Sequence, residues 1–302
     1  MLRYSLVIKM KFEDIPVVAL DPAETDALMR SITAQIDLDT FDADDIPLLK
    51  QMIECLGDSR GLVRLRFAQT LGDIGATATP LLVDALLNHP NPVVRRAAGK
   101  TLALIVDPTT VPSLLHALLN DEDTVVKGSA VGALAKMGAA SVPTLLEILA
   151  DPIRSESTKG HAAWALGFIG AEAAPFLEDA IKSDSIDVRC AAVNAIAHLV
   201  QERGDERAAQ LLIETLGDID PNVRSETASA IGKMAYLPAL PDLITALRDP
   251  DGEVRRTAAV SLGKLGDRTA ILPLTVLLTD KLEPVRILAK MAIAKIENRD
   301  EK

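Results

Sequence analysis

The sequence predicts an all-α protein: an α-solenoid (superhelix) of about eight helical hairpins that follow an N-terminal capping segment. A residue pattern returns about every 30 to 35 positions, a period typical of repeat architectures. Within each copy the apolar residues follow the spacing of an amphipathic helix. The composition is 48% hydrophobic but only 3% aromatic, and small aliphatic side chains suit close packing of helix on helix.

The N-terminal segment, residues 1–45, lies outside the pattern, and residues 21–36 within it predict a helix. Asp21 is a suitable N-cap, and acidic residues in a first turn interact favourably with the positive end of the helix dipole. We expect this segment to cover the apolar edge of the first repeat. The alternative is a mobile arm that binds a partner.

Eight units then cover residues 46–297, before a charged tail at 298–302. Most units carry a Val-Arg pair, and alignment on the valine places a base one position later in every unit. These bases are Arg64, Arg95, Lys127, Lys159, Arg189, Arg224, Arg255 and Arg286. Nine positions after the valine every unit has Gly or Ala, which predicts close approach of neighbouring helices. The first residues match none of these units, so Met1 and Met10 are both candidate starts.

Each unit is predicted to be a pair of helices. The first helix opens near a proline, as in VPSLLHALLND and LPDLITALRD, because proline is tolerated in a first helical turn. A polar turn follows, usually with an aspartate: Asp58, Asp121, Asp151, Asp184, Asp218, Asp249 or Asp280. The second helix begins near the Val-Arg pair and carries its apolar residues on one stripe, as expected of a packed helix.

Two units show the repeat most clearly, DPDGEVRRTAAVSLGKLGD at 249–267 and HPNPVVRRAAGKTLALIVD at 89–107. They resemble HEAT repeats, and more closely the short repeats shared by phycobilin lyase subunits and related cyanobacterial phycobilisome proteins. The resemblance covers more than four fifths of the chain and implies a solenoid whose second helices line a concave face. It also implies that the regular bases pair with the turn aspartates in a ladder between repeats. A row of ligand-binding bases is the alternative.

Charge and composition exclude several classes of function. Lys and Arg total 32 against 43 Asp and Glu, a net charge of −11, so nucleic acid is not an expected partner, because phosphate binding needs a basic surface. The apolar stretches are shorter than the roughly 20 residues that span a bilayer, and no membrane insertion is expected. Two cysteines are too few for a disulfide framework and fit a reducing compartment, which predicts a cytoplasmic protein.

The usual motifs of catalysis are missing from the sequence. It has no G-x-x-x-x-G-K-[ST] or G-x-G-x-x-G phosphate loop and no G-x-S-x-G nucleophile elbow. None of its four histidines precedes a glutamate, which excludes the His-Glu iron site of some helical-repeat hydroxylases. We therefore assign no catalytic residue and no metal, and an enzyme is not the leading expectation.

The fourth unit carries the chain's one tryptophan. His161, Trp164 and Phe168 are spaced i, i+3 and i+7, which places them on one face of the second helix. This face points away from the apolar stripe, and exposed aromatic residues are typical of protein interaction surfaces. We therefore predict a partner-binding patch here. Its other members are Cys190, Asn194 and His198 of the fifth unit and the flanking lysines Lys136, Lys233 and Lys264.

The alternative is that Trp164 and Phe168 are packing residues that fill a gap left by Gly132 and Gly160. A metal site that joins His161, Cys190 and His198 is not expected, because Cys190 and His198 are two helical turns apart, roughly 12 Å by helical rise.

The leading hypothesis for function is a non-catalytic protein-binding scaffold or chaperone-like factor, which the family resemblance places in phycobiliprotein or phycobilisome maturation or turnover. The first alternative is a bilin lyase subunit that attaches or detaches a tetrapyrrole. In that case the lysines would meet the propionates and Trp164 and Phe168 would meet the rings. Bilin would then be a ligand, whereas the scaffold needs no cofactor.

A second alternative is an accessory factor that binds an iron–sulfur cluster assembly protein through Cys190 and the histidines. Two cysteines cannot hold a cluster alone, so this role would need thiolates from the partner. The expected partner is thus another protein, a phycobiliprotein or an iron–sulfur assembly factor.

Overall fold

The computed structural model describes residues 20–298, in which helices are joined by short turns and no β-strand occurs. The α-solenoid predicted from the sequence is confirmed. The candidate starts Met1 and Met10 and all of the charged tail except its first residue lie outside the described residues. The chain divides into two compact units between Thr144 and Leu145, called the N-terminal unit and the C-terminal unit below.

The N-terminal unit contains seven complete helices among its described residues. They are α1 (Pro22–Asp37), α2 (Ile46–Glu54), α3 (Gly61–Ile74), α4 (Thr79–Asn88), α5 (Pro92–Ile105), α6 (Val111–Asn120) and α7 (Thr124–Lys136). Helix α8 (Val142–Ala150) crosses the boundary between the units. After α1, first and second helices of the repeats alternate.

The C-terminal unit continues the alternation. Its helices are α9 (Glu156–Ile169), α10 (Ala174–Ala180), α11 (Ile186–Arg203), α12 (Glu206–Glu214), α13 (Pro221–Met234), α14 (Leu240–Ala246), α15 (Gly252–Leu265), α16 (Ile271–Val276) and α17 (Glu283–Glu297). The second helix of a repeat packs against the second helix of the next, as α13 does on α15 and α15 on α17.

Local sequence explains where the second helices begin and end. Asp123 and Asp251 each accept two backbone N–H groups of the first turn, which satisfies donors that have no partner inside a helix. Helices α3 and α15 end at Gly75 and Gly266, both with positive φ, a conformation that costs glycine little. At the corresponding end of α5 the residue is Val106, with φ 55°.

The core combines the apolar stripe of the second helices with buried residues of the first helices, such as Leu82 and Leu114. Leu102, Ile231 and Leu262 are completely buried, each eight positions after the repeat valine. The small residue that follows allows the close approach predicted from the sequence, since a Cβ added to Gly232 would lie 2.8 Å from Ser261 Cα. At Gly167 the same addition would meet only His198 Cδ2 at 3.7 Å, so packing there is looser.

Helix α1 is joined to the first repeat. Its Met29 and Ile32 are buried. Arg60, at the start of α3, forms an ion pair with Asp26 of α1 at 2.9 Å and a second one with Asp58. The boundaries 1–45, 46–297 and 298–302 remain predictions, but the helical part of the first segment packs on the repeat that follows it.

No single helix among residues 20–298 is long and apolar enough to cross a membrane. The pair Gly61–Thr77 and Thr79–Asn88 meets the criteria of length and composition together, but it is bent by 119°. Its residues Leu81, Leu82 and Leu86 are buried within the protein.

Candidate functional site

Four of the regular arginines bond an aspartate of the next repeat's turn through two nitrogens. The pairs are Arg95–Asp121, Arg189–Asp218, Arg224–Asp249 and Arg255–Asp280, with N–O distances of 2.7–3.1 Å. The same guanidiniums donate to backbone carbonyls of their own turn, as Arg255 does to Asp249 and Pro250. Each such arginine therefore joins two successive repeats.

These pairs are removed from solvent. The side chains of Arg255 and Asp280 are 8% and 7% exposed. Hydrogen bonds from Arg255 lower the pKa of Asp280, and hydrogen bonds to Asp280 raise the pKa of Arg255. Both shifts favour the charged forms, so the pair is ionised at neutral pH while a ligand has little access to it.

The first repeat departs from this arrangement. The residue that aligns with Asp121 in the second repeat is His89, and its Nε2 lies 3.1 Å from Glu54 Oε1. Arg64 therefore lacks the aspartate that its counterparts bond. Its Nη1 donates to the backbone carbonyl of Asp58, and Arg64 forms no ion pair with a carboxylate among residues 20–298.

The remaining bases also vary. Lys159 pairs with Asp187 at 2.5 Å, since Ser183 stands where the aligned turns have aspartate. Arg286 of the last repeat donates to the backbone carbonyl of Asp280 at 2.7 Å. Lys127 is half-buried on α7.

The partner-binding patch predicted from the sequence centres on α9. Trp164 and Phe168 are stacked, with ring centroids 5.4 Å apart and an interplanar angle of 23°. They are 54% and 56% exposed, because the buried stripe of α9 is formed by other residues. At these exposures neither ring fills a gap in the core. His161, one turn before Trp164, is half-buried.

Helix α11 lies beside α9 and supplies the next row of the patch. The His198 side chain is exposed and lies next to Gly167 of α9. Asn194 is held by a hydrogen bond from its Nδ2 to Glu226 Oε1 at 2.9 Å. Glu226 was missed by the sequence reasoning, although it occupies the same position in its repeat as His161 does in the fourth.

Burial raises the pKa of the Cys190 thiol to about 12, and the carboxylate of Glu226 adds to the effect. The thiol therefore stays protonated at neutral pH. Since the thiolate is the reactive form of cysteine, the raised pKa disfavours Cys190 as a nucleophile. No group of three His, Cys, Asp or Glu side chains placed to hold a metal ion occurs in the described part of the chain.

The lysines of the patch are divided between the units. Lys233 on α13 is exposed and Lys264 on α15 is half-buried, both in the C-terminal unit. Lys136 is exposed at the end of α7 in the N-terminal unit. The C-terminal unit thus holds every predicted member of the patch except Lys136.

Comparison with known proteins agrees with the repeat architecture described above. The HEAT repeats family matches residues 46–135, 111–197, 174–249 and 240–302. The bilin biosynthesis protein MpeU of Synechococcus sp. (strain WH8020) is 39% identical over 226 residues, which are 75% of this chain and 76% of MpeU.

Among solved structures, Kap121p bound to Nup53p superposes with a TM-score of 0.57 at 16% identity, over 94% of this chain and 38% of Kap121p. This likeness supports the fold alone. The resemblance read from residues 89–107 and 249–267 is confirmed: the chain belongs to the HEAT-repeat family, in the group that includes this bilin biosynthesis protein.

Proposed function

We propose that this chain works in bilin biosynthesis as a lyase-type subunit that holds a phycobiliprotein while a bilin is attached or detached. Its relation to MpeU supports the bilin context, and stacked helical repeats provide extended surfaces that bind other proteins. The observation that carries the proposal is the exposed Trp164–Phe168 stack. We assign it to the contact with the protein client, and we retain the expectation of a cytoplasmic location.

The stack has the properties of an interface anchor. Tryptophan is among the residues that dominate binding energy when they become buried against a partner, and a stacked pair offers a rigid apolar surface. Trp164 and Phe168 are each more than half exposed to water, although the same helix buries Ala162, Ala165 and Leu166. A partner that covered both rings would remove a hydrophobic surface that the folded chain leaves in solvent.

The surroundings of the stack are polar. His198, the Asn194–Glu226 pair and Lys233 occupy the following second helices. A central apolar anchor with a hydrated polar border is the usual anatomy of a protein interface. Cys190 contributes a protonated, half-buried thiol to this border and is not assigned a chemical step.

The test is the affinity for an isolated phycobiliprotein subunit, measured by biolayer interferometry. Trp164→Ala should weaken binding by about 30-fold, the effect of about 2 kcal/mol at a hot spot. Leu272→Ala is the matched control, because Leu272 is 78% exposed but lies on a first helix, α16. Both variants should keep the wild-type melting temperature. Equal affinities for the wild type and Trp164→Ala would contradict the proposal.

A scaffold without catalysis is the second candidate, supported by the missing catalytic motifs. The two candidate roles, lyase-type subunit and scaffold, are separated by one experiment. The chain is incubated with a phycobiliprotein subunit and a free bilin, and the subunit is then analysed by mass spectrometry. A covalent adduct that depends on the chain supports the lyase-type role, and binding without an adduct supports the scaffold. Nothing favours the iron–sulfur role, since the matches are to HEAT repeats and to a bilin biosynthesis protein.

A further inference from the structure

The N-terminal unit contains a cleft that is lined by none of the residues of the partner-binding patch. It lies between α3 and α5, the second helices of the first two repeats, and has a volume of about 340 Å³. Ligand pockets usually begin at about 300 Å³. Leu104 lies at its C-terminal end, where α5 approaches α3 so closely that a Cβ added to Gly72 would be 3.2 Å from Leu104 Cβ.

Part of the lining of the cleft is apolar. Leu65 and Ala68 of α3 and Ala97 and Leu104 of α5 contribute to it. Leu65 is 50% exposed and Leu104 is 55% exposed. A concave surface with two half-exposed leucines suits a ligand with an apolar body.

Three cations line the same cleft: Arg64, Arg96 and Lys100. The side chains of Arg96 and Lys100 form no hydrogen bond or ion pair with another residue in the range 20–298. Arg64 is the ladder base whose aspartate is replaced by His89, and it reaches only a backbone carbonyl. In a chain of net charge −11, this is a local concentration of positive charge without a carboxylate bonded to it.

Two carboxylates that act on these cations from a distance, Asp58 and Asp123, already have other partners. Asp58, which interacts with Arg64, accepts hydrogen bonds from the guanidinium of Arg60. Asp123, which interacts with Arg96, caps the N-terminus of α7. The cations of the cleft are therefore available to an anionic ligand, and charge-assisted bonds to carboxylates are stronger than neutral ones.

We propose that this cleft binds a free linear tetrapyrrole through its two propionate carboxylates. Arg96 and Lys100 bond the carboxylates, Arg64 adds to the positive field, and the conjugated body lies against Leu65 and Leu104. The choice of ligand rests on the proposed function, whereas the preference for an amphipathic dicarboxylate follows from the lining of the cleft. The bilin site and the client site are then on different units of the chain.

The experiment titrates biliverdin with the full-length chain and follows the induced circular dichroism of the pigment. Arg96→Gln and Lys100→Gln should each weaken binding about tenfold. The matched control is Arg66→Gln, which removes an exposed arginine of α3 that does not line the cleft and should leave affinity unchanged. Biliverdin dimethyl ester, which lacks the carboxylates, should bind at least tenfold more weakly than biliverdin.

Several results would overturn the proposal. No induced signal, or equal affinity for biliverdin and its dimethyl ester, would show that the cleft does not bind the carboxylates. Loss of biliverdin binding in Trp164→Ala, with Arg96→Gln unaffected, would place the pigment on the other unit. If Arg96→Gln weakened binding of the phycobiliprotein subunit but not of biliverdin, the cleft would be a protein-docking surface. Failure of Trp164→Ala to affect client binding would contradict only the proposed function.

Discussion

Repeats five to seven and the first repeat use the same kind of residue differently. In the later repeats Arg189, Arg224 and Arg255 each bond an aspartate of the next turn through two nitrogens. In the first repeat Arg64 has no such aspartate, because the aligned position holds His89. Where the ladder is complete, the charge of the base joins two repeats. At Arg64, where the aspartate is missing, the charge faces a cleft.

Two of the repeats that depart from the ladder carry unusual surfaces. The fourth repeat, whose Lys159 pairs with Asp187 in place of a ladder aspartate, carries the exposed aromatic stack. The first repeat lines the basic cleft. The regular ladder residues thus serve to hold the repeats together, and repeats that depart from the ladder pattern indicate where to search for functional surfaces.

The largest expected effect separates the two kinds of base. Arg255→Ala leaves Asp280, 7% exposed, as a buried charge without its partner, and such a change costs about 3–5 kcal/mol. Arg64→Ala removes a base that bonds no carboxylate, and should cost less than about 1 kcal/mol. Urea unfolding followed by circular dichroism measures both. Equal losses would mean that the first repeat has a ladder contact equivalent to that of Arg255.

A second prediction compares two glycines at the same repeat position. A methyl group at Gly232 would lie 2.8 Å from Ser261 Cα, so Gly232→Ala should destabilise by about 1–3 kcal/mol through overpacking. At Gly167 the nearest atom is 3.7 Å away, and Gly167→Ala should stabilise the helix by up to about 1 kcal/mol.

Chemical denaturation of both variants is the measurement. If Gly167→Ala were as destabilising as Gly232→Ala, helices α9 and α11 would be packed as tightly as α13 and α15. The proposed looser packing beside the aromatic stack would then be wrong.

The period of the sequence was enough to predict the helical pairs and most of their order. The helix predicted at 21–36 is observed at Pro22–Asp37, because caps and apolar spacing are local signals. The pairing of each base could not be predicted in the same way. Whether Arg64 meets an aspartate depends on one residue of the next repeat, and the ladder implied by the resemblance did not anticipate His89.

The candidate sites show the same limit. The spacing of Trp164 and Phe168 predicted a shared face, and their exposure agrees with a position outside the apolar stripe. The basic cleft was missed, because Arg64 and Leu65 belong to one repeat and Arg96 and Lys100 to the next. Their proximity depends on how closely α3 and α5 approach, which the alternation of apolar residues does not specify.

The smallest expected effect concerns the ends of two second helices. Val106 closes α5 with φ 55° and ψ 48°, a left-handed conformation that costs a residue with a Cβ about 1–2 kcal/mol. Gly266 closes α15 in the same region without that cost. Val106→Gly should therefore stabilise the chain by about 0.5–1 kcal/mol, since the greater freedom of glycine in the unfolded chain offsets part of the gain. Gly266→Val should destabilise it by a similar or larger amount.

Thermal melting of the two variants measures both effects. Because Val106 is 44% exposed, loss of its side chain removes little packing. A lower melting temperature for Val106→Gly would mean that the valine side chain contributes a contact worth more than its backbone strain.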